Sequence, residues 1–188
     1  DIFLIETQVT KSGAHIMKQV IECRNRLSRE KRWKQLDEDV DYKPTQLDRD
    51  IVNPSQIRMV IRTFRDNLFT TLFPRPKTLI FAKTDSHADD IIQIVREEFG
   101  EGNEFCRKIT YSAENPEGVL SEFRNGYNPR IAVTVDMIAT GTDVKPIECL
   151  IFMRDVRSKN YFEQMKGRGT RTLSKDDLQK VTPSATEN

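Results

Sequence analysis

Four short apolar runs, separated by amphipathic stretches, occupy the second half of the chain. They are rich in β-branched residues and lack alternation of apolar and polar positions, which is typical of strands buried in a parallel sheet. We expect these strands at residues 78–82, 107–111, 130–135 and 148–153. The run at 107–111 carries the weakest pattern of the set.

Helical spacing of apolar residues predicts a helix after most of these strands. The first is expected to begin with Asp85 or Ser86 as its N-cap and to stop at Gly100. The second spans 116–125 and the third follows Ser158. This alternation predicts an α/β fold: a doubly wound parallel sheet with right-handed crossovers and helices on both faces.

The first 52 residues have a different pattern. An apolar run at 2–10 predicts a strand, and a basic stretch at 24–34 surrounds Trp33 before an acidic stretch at 37–41. These features predict a β-hairpin-like appendage. One interpretation is a hairpin that faces nucleic acid, with Trp33 available for stacking. The other is a solvated hairpin whose two charged halves pair with each other.

Residues 53–76 link the appendage to the sheet. Asn53 and Pro54 predict a helix start, and apolar residues then recur at helical spacing. The opposite face carries Arg58, Arg62 and Arg65, which we expect to be solvated. Pro74 and Pro76 are expected to end the helix. The change from helix to strand is abrupt there, and one interpretation is that a flexible segment near these prolines has been omitted from the sequence. We therefore divide the chain into an appendage (1–52), a linking amphipathic helix (53–76), an α/β lobe (77–174) and a polar tail (175–188).

Composition limits the classes of function. The formal net charge of the 188 residues is +1, so an anionic partner must be met by local patches. The 3 cysteines are scattered and the 2 histidines lie far apart, which favours a reducing compartment and argues against a zinc site or a histidine-based triad. No apolar run is long enough to span a membrane. The chain begins inside an apolar run, so we expect it to be part of a longer polypeptide.

Polar side chains follow each predicted strand, at 83–84, 112, 136–143 and 154–158. Because ligands of such sheets bind at the carboxyl ends of the strands, we expect a site there. The turn at Gly141 places Thr140 and Asp143 together. Their hydroxyl, carboxylate and backbone N–H groups suit a ribose and phosphate oxygens. The alternative is a turn whose side chains cap only their own backbone.

The last candidate is a Gln-x-x-Gly-Arg-x-x-Arg box formed by Gln164, Gly167, Arg168 and Arg171. Arginine forks match phosphate oxygens, although a basic helix end that complements the helix dipole is the simpler interpretation. The sequence contains no GxxxxGK[ST] phosphate loop and no strand-end acidic pair for magnesium. We therefore expect these arginines to act on a triphosphate that is held mainly elsewhere.

In order, TLIFAKT (78–84), SEFRNG (121–126), RIAVTVDMIATGTDV (130–144) and YFEQMKGRGTR (161–171) resemble the second RecA-like lobe of superfamily-2 helicases and translocases. Within this superfamily, the sequence is most similar to the motor (restriction, R) subunit of type I restriction–modification enzymes, over about residues 37–172. One departure is Val135, where many helicases have threonine.

The resemblance implies roles for individual residues. Gln164 would contact the nucleotide phosphates, and Arg168 and Arg171 would be arginine fingers that reach the γ-phosphate. Gly141 and Asp143 would link the nucleotide to the DNA track. Three threonines would contact the nucleic-acid backbone: Thr84, Thr134 and Thr140. No metal ligand is implied in this chain, because ATP and Mg²⁺ would be held mainly by a first lobe outside it.

The resemblance further implies a cytoplasmic prokaryotic ATP-dependent translocase and endonuclease acting on double-stranded DNA. Its partners would be the first RecA-like lobe and a nuclease domain of the same polypeptide, and separate methyltransferase and specificity subunits. The fragment alone is expected to be inactive. Two alternatives remain: a lobe of a strand-separating DNA or RNA helicase or repair factor, and a non-enzymatic DNA-binding or scaffold module.

Overall fold

The computed structural model describes the chain in segments, which are 14–16, 20–24, 31–35, 40–42, 54–69, 75–135, 144, 147–154, 156, 158–167 and 174–182. The chain forms two compact units, residues 1–56 and 57–188. The division lies inside the segment predicted as the linking helix (53–76), and the predicted domain boundaries stay predictions. Within the described residues, no helix is long and apolar enough to cross a membrane.

The first unit contains two nested antiparallel strand pairs. The outer pair is β1 (Ala14–Ile16) with β4 (Val40–Tyr42), and the inner pair is β2 (Val20–Arg24) with β3 (Lys31–Gln35). The predicted hairpin-like appendage is confirmed, and the basic segment around Trp33 forms the returning strand of the inner pair. The predicted strand at 2–10 lies outside the described residues.

An amphipathic helix spans the division after residue 56. Helix α1 (Pro54–Phe64) starts at the predicted proline and continues as a π-helical turn, Arg65–Phe69. Its buried side chains recur at helical spacing. Phe64 of α1 and Phe69 of the π-helical turn belong to an aromatic cluster with contacting ring centroids 4.8–6.3 Å apart. The cluster consists of Phe64, Phe69, Phe99 and Phe105. Aromatic packing therefore fixes α1 against the lobe.

The arginine face of α1 is partly exposed to solvent and is also paired with acidic side chains of the next helix. Arg58 and Arg62 both donate to the Glu98 carboxylate, the latter from Nε at 2.7 Å. Arg65 donates from Nη1 to the Glu98 carbonyl oxygen at 2.6 Å, and Arg58 also reaches Glu97 at 2.6 Å. Hydrogen bonds from Arg62 and then Arg58 lower the pKa of Glu98 to about 2. This face of α1 thus bonds to the end of the next helix.

The core of the lobe is a parallel sheet. Its strands are β5 (Thr78–Phe81), β6 (Cys106–Lys108), β7 (Ile131–Thr134) and β8 (Cys149–Phe152). They lie in the order β6-β7-β5-β8, and each neighbouring pair is parallel. The predicted strands are all present, and each is shorter by one or two residues. Strands β5 and β7 are fully buried, as their continuous apolar pattern predicts.

Helices cover both faces of this sheet, so the predicted doubly wound fold is confirmed. Helix α2 (Asp85–Phe99) connects β5 to β6, and α3 (Pro116–Asn125) connects β6 to β7 in the opposite direction across the sheet. Right-handed crossovers that run in opposite directions place their helices on opposite faces. Helix α4 (Lys159–Lys166) follows β8, and its Met165 shares the hydrophobic core with side chains of α3 and β5.

The segment predicted as a polar tail contains a helix. Helix α5 (Lys175–Val181) begins after Ser174, whose hydroxyl oxygen accepts from the Asp177 backbone N–H at 3.2 Å. At its other end, Val181 and Thr182 are buried. The sequence suggested a tail because the helix is short and mostly charged.

Lys77, just before β5, is fully buried. Its Nζ donates to the carbonyl oxygens of Gly126, Tyr127 and Pro129, at 2.7, 3.1 and 2.8 Å. All three ammonium N–H groups are thus satisfied. Burial lowers the pKa of Lys77 to about 7, and the nearby Arg130 charge acts in the same direction.

This lowered pKa predicts a pH-dependent stability. Between about pH 7 and 8.5 the unfolded lysine stays protonated whereas the folded one loses its proton. The unfolded state then binds more protons, so the free energy of unfolding should rise with pH, by at most about 1.4 kcal/mol per unit. Chemical denaturation across this range, compared between the wild type and Lys77→Met, measures the effect. Equal slopes for the two proteins would contradict it.

Candidate functional site at the carboxyl edge of the sheet

The carboxyl ends of the strands meet at one edge, as the sequence predicts. Phe81 ends β5 level with Thr134 of β7 and Phe152 of β8. Beyond this level, the Ala82 N–H donates to the Thr134 carbonyl at 2.7 Å. Arg154 follows β8 and reaches across the end of β5, where its Nη1 donates to the Val135 carbonyl at 3.2 Å. Arg154 therefore links the end of β8 to the end of β7.

Thr84 is the N-cap of α2. Its hydroxyl oxygen accepts from the His87 backbone N–H at 3.1 Å, and α2 begins at the next residue. The predicted caps, Asp85 and Ser86, lie inside the helix instead. A hydroxyl also has a hydrogen to donate. The half-buried Thr84 can therefore cap α2 and offer a donor to a phosphate oxygen at the same time.

Asp85 does not cap α2, because its carboxylate bonds to side chains in β6 and in the loop after it. Its Oδ1 accepts from the hydroxyls of Thr110 and Ser112 at 2.7 and 2.6 Å, and its Oδ2 accepts from Lys108 at 2.9 Å. Burial acts to raise the pKa of Asp85, but the bonds from Ser112, Lys108 and Thr110 lower it overall. The loop after β6 is thus fixed to the start of α2. The sequence predicted Asp85 only as a candidate N-cap and not as the partner of these side chains, because they lie 23 to 27 residues away along the chain.

The cap gives a testable prediction for Thr84. Thr84→Val removes the oxygen that accepts from the His87 N–H while keeping the shape of the side chain. We expect the free energy of unfolding to fall by about 1 kcal/mol. Thr84→Ser keeps the oxygen and should stay close to the wild type in the same denaturant titration. A Thr84→Val variant as stable as the wild type, or a larger loss in Thr84→Ser than in Thr84→Val, would contradict the importance of the cap.

His87 lies buried beside this cap. Its Nδ1 accepts from the Lys83 backbone N–H at 3.3 Å. Burial lowers the pKa of His87 to about 4, and the Lys83 charge adds to the effect. The imidazole is therefore neutral at physiological pH. Within the described residues, no group of three or more His, Cys, Asp or Glu side chains is arranged to hold a metal ion.

Thr134 is fully buried at the end of β7. Its hydroxyl has no hydrogen-bond partner within the described part of the chain. Because its side chain is enclosed by the core, Thr134 has no surface to offer to a nucleic-acid backbone. The contact of Thr134 with a nucleic-acid backbone stays a prediction, and the burial of its side chain does not favour it.

Helix α4 carries the start of the Gln-x-x-Gly-Arg-x-x-Arg box and is anchored by two side chains. The Phe162 ring lies 5.3 Å from that of Phe152, which stacks on Phe81 at 5.2 Å. Met165 is fully buried in the core, whereas Gln164 is exposed. The anchors therefore turn the Gln164 side chain toward solvent.

The described part of α4 ends just before the arginines. The Gly167 N–H donates to the Glu163 carbonyl at 2.8 Å, and a Cβ at Gly167 would lie 3.2 Å from that oxygen. Glycine thus relieves a close approach at the helix end. Arg168 and Arg171 lie outside the described residues, and so do Thr140, Gly141 and Asp143.

A comparison with known protein families identifies the family to which this chain belongs. Residues 59–172, well over half of the chain, match the helicase conserved C-terminal domain. The chain belongs to this family. The match confirms the predicted resemblance to the second lobe of helicases.

Within the helicase C-terminal family, the chain is similar to endonuclease subunits of type I restriction enzymes. The chain is 33% identical over 145 residues to the type I restriction enzyme EcoKI endonuclease subunit of Escherichia coli K12, covering 72% of this chain and 12% of that protein. It is 29% identical over 136 residues to the EcoAI endonuclease subunit of Escherichia coli, covering 69% and 17%. The predicted resemblance to type I R subunits is confirmed. The chain spans less than a fifth of the length of these relatives.

A solved structure agrees on the fold. It is a fragment assigned to the HsdR subunit of a type I restriction enzyme from Vibrio vulnificus YJ016. The TM-score is 0.59 at 23% identity, covering 68% of this chain and 26% of that one. The likeness supports the RecA-like arrangement of the sheet and its helices.

Proposed function

We propose that this chain is the second motor lobe of the ATP-dependent DNA translocase and endonuclease subunit of a type I restriction enzyme. One observation carries the proposal: α4 is anchored by the buried Met165 at the carboxyl edge of the sheet, with Gln164 turned outward. The residues that follow are the two arginines of the box. Membership of the helicase C-terminal family and the similarity to type I endonuclease subunits support the same assignment.

The box is proposed to act on ATP across a cleft. Gln164 contacts the nucleotide phosphates, and the forks of Arg168 and Arg171 reach the γ-phosphate. The two arginines stabilise the charge that develops on the phosphoryl oxygens in the transition state. Magnesium, when bound, neutralises phosphate charge from the first lobe. The exposed amide of Gln164 fits the role of a neutral phosphate ligand.

The same edge is proposed to face the DNA. Gly141 and Asp143 link the state of the nucleotide to the DNA track, and the hydroxyls of Thr84 and Thr140 contact the sugar–phosphate backbone. We leave Thr134 out of this proposed contact, since its side chain is buried. Closing of the cleft on ATP and opening after hydrolysis would then move the lobe along the duplex.

The proposed partners follow from the type I relatives. They are double-stranded DNA, a first RecA-like lobe and nuclease domain in the same polypeptide, and the methyltransferase and specificity subunits. The place of action would be the prokaryotic cytoplasm, and DNA cleavage would belong to the nuclease domain. The lobe alone would not hydrolyse ATP, since the sequence lacks a phosphate loop.

A duplex-tracking assay tests the function. The full-length subunit, assembled with its partners, should displace a third strand from a triplex on linear duplex DNA when ATP is present. It should not release strands from a forked duplex. Strand release from the fork would favour the helicase or repair alternative. The scaffold alternative would be favoured by salt-sensitive DNA binding without ATP turnover.

A further inference from the structure

Arg130 lies at the amino edge of the sheet, just before β7 and on the side opposite the candidate site. The residue is fully buried. Its Nη1 donates to the Val181 carbonyl at 2.8 Å, and its Nη2 donates to the Thr182 hydroxyl at 3.2 Å. Nη2 also donates to the Arg75 carbonyl and approaches the Glu148 carboxylate at 3.4 Å. One guanidinium therefore joins segments that are far apart in sequence.

We call Arg130 and its bonding partners the Arg130 joint. The partners are Arg75, which precedes β5, Glu148, which precedes β8, and Val181 and Thr182 at the end of α5. A buried guanidinium is strongly unfavourable unless its N–H groups are bonded, so loss of the fork would leave carbonyls and charge unmatched. Lysine offers a single point charge and cannot reproduce a planar fork that spans several acceptors. The joint therefore depends on arginine rather than on a positive charge alone.

Helix α5 is bonded to the lobe by Arg130 at its carboxyl end. It lies beyond residue 172, where the family match ends. Val181, the last residue of α5, and Thr182, which follows it, both bond to Arg130 and are both buried. Within α5 and its cap, Lys180 bonds to Asp177 at 2.7 Å and Ser174 bonds to the same carboxylate. The bonds from Arg130 hold the carboxyl end of α5 to the lobe.

We propose that Arg130 is a positioning residue that couples movement of the lobe to α5 and to the chain that follows α5 in a subunit of its relatives' length. The coupling rests on the proposed motor function. When the lobe moves between nucleotide states, the joint makes α5 move with the sheet as one body. Without the joint, the lobe would still complete the ATP site, but α5 and the chain after it would no longer follow the movement of the sheet.

The test uses the full-length subunit in its complex, with Arg130→Lys as the variant. Hydrogen exchange of the amides in 175–182 should become about tenfold faster or more, since local opening no longer breaks charge-assisted bonds. Exchange in β5 and β7 should stay unchanged. ATP turnover should stay within about twofold, while the distance moved per ATP should fall by about threefold or more.

Two controls keep the test informative. Arg107→Lys alters an arginine that bridges Glu104 at 3.1 Å and Glu122 at 3.6 Å on the surface, and it should change none of these readouts. Thr182→Val removes one acceptor of the joint and should give a smaller acceleration in the same segment, even where Arg130→Lys fails to fold.

The outcomes separate the coupling from the motor function. Unchanged exchange of α5 in both joint variants, in a subunit that moves on DNA, overturns the coupling alone. A parallel fall of ATP turnover and movement also overturns it, because it would mark general structural damage. A wild-type subunit without ATP-driven movement contradicts both proposals, and the exchange data then still show whether Arg130 holds α5.

Discussion

Replacing Arg171 by alanine in the full-length subunit should lower ATP turnover by about 10³-fold or more. An arginine finger meets charge that is greatest in the transition state, so its loss is expected to act on turnover far more than on ATP binding. Arg168→Ala should act in the same direction. Single-turnover ATP hydrolysis and equilibrium binding of ATP, measured in parallel, separate the two effects.

The matched control is another arginine of the lobe. Arg107→Ala removes a charge of the same sign from an exposed ion pair, and ATP turnover should stay near the wild-type rate. Arg171→Lys keeps the charge but not the fork, and it should recover only part of the loss. Near-normal turnover in Arg171→Ala would remove the finger assignment.

Replacing Met165 by alanine should destabilise the lobe by about 2–5 kcal/mol. Met165 is fully buried and belongs to the same core cluster as Phe81 and Phe123. The truncation removes apolar contacts and leaves a cavity beneath α4. Because the box arginines come directly after this helix, ATP turnover should also fall in protein that remains folded. Thermal denaturation and ATP hydrolysis by the full-length subunit measure the two effects.

Met165→Leu is the control for this prediction. It conserves most of the volume and should cost less than about 1.5 kcal/mol. A folded Met165→Ala subunit with wild-type turnover would mean that the anchoring of α4 does not position the arginines. The proposal that α4 presents the box would then lose its main support.

Local signals explain which parts of the fold could be predicted. Pro54, Pro116 and Gly100 act within one turn of the backbone, and the predicted helix ends at these residues are confirmed. The continuous apolar runs of β5 and β7 also gave the parallel sheet, because both faces of these strands are covered. Such features depend on neighbours in the sequence, and a pattern can reveal them.

Long-range contacts explain what could not be predicted. Asp85 has the chemistry of a cap, but the hydroxyls of Thr110 and Ser112 bind it, and Thr84 takes the cap instead. The pairing of the α1 arginines with Glu98 also had no signal in the sequence. Each of these outcomes depends on a partner 25 or more residues away.

The candidate site divides in the same way. The convergence of strand ends and the outward direction of Gln164 follow from the fold, and burial does not favour the predicted contact of Thr134. The roles of Gly141, Asp143, Arg168 and Arg171 remain predictions from the motifs. The joint around Arg130 had no signal in the sequence, because an arginine before a buried strand gives no indication that it will be enclosed.

The central claim is that this lobe completes an ATP site held mainly by another lobe. The most direct measurement compares the affinity of the full-length subunit for ATP and for ADP with aluminium fluoride, which imitates the transferring phosphoryl group. In Arg171→Ala, affinity for the analogue should fall by about 10²-fold or more while affinity for ATP changes only a few fold. Equal affinities of the variant and the wild type for the analogue would contradict the account.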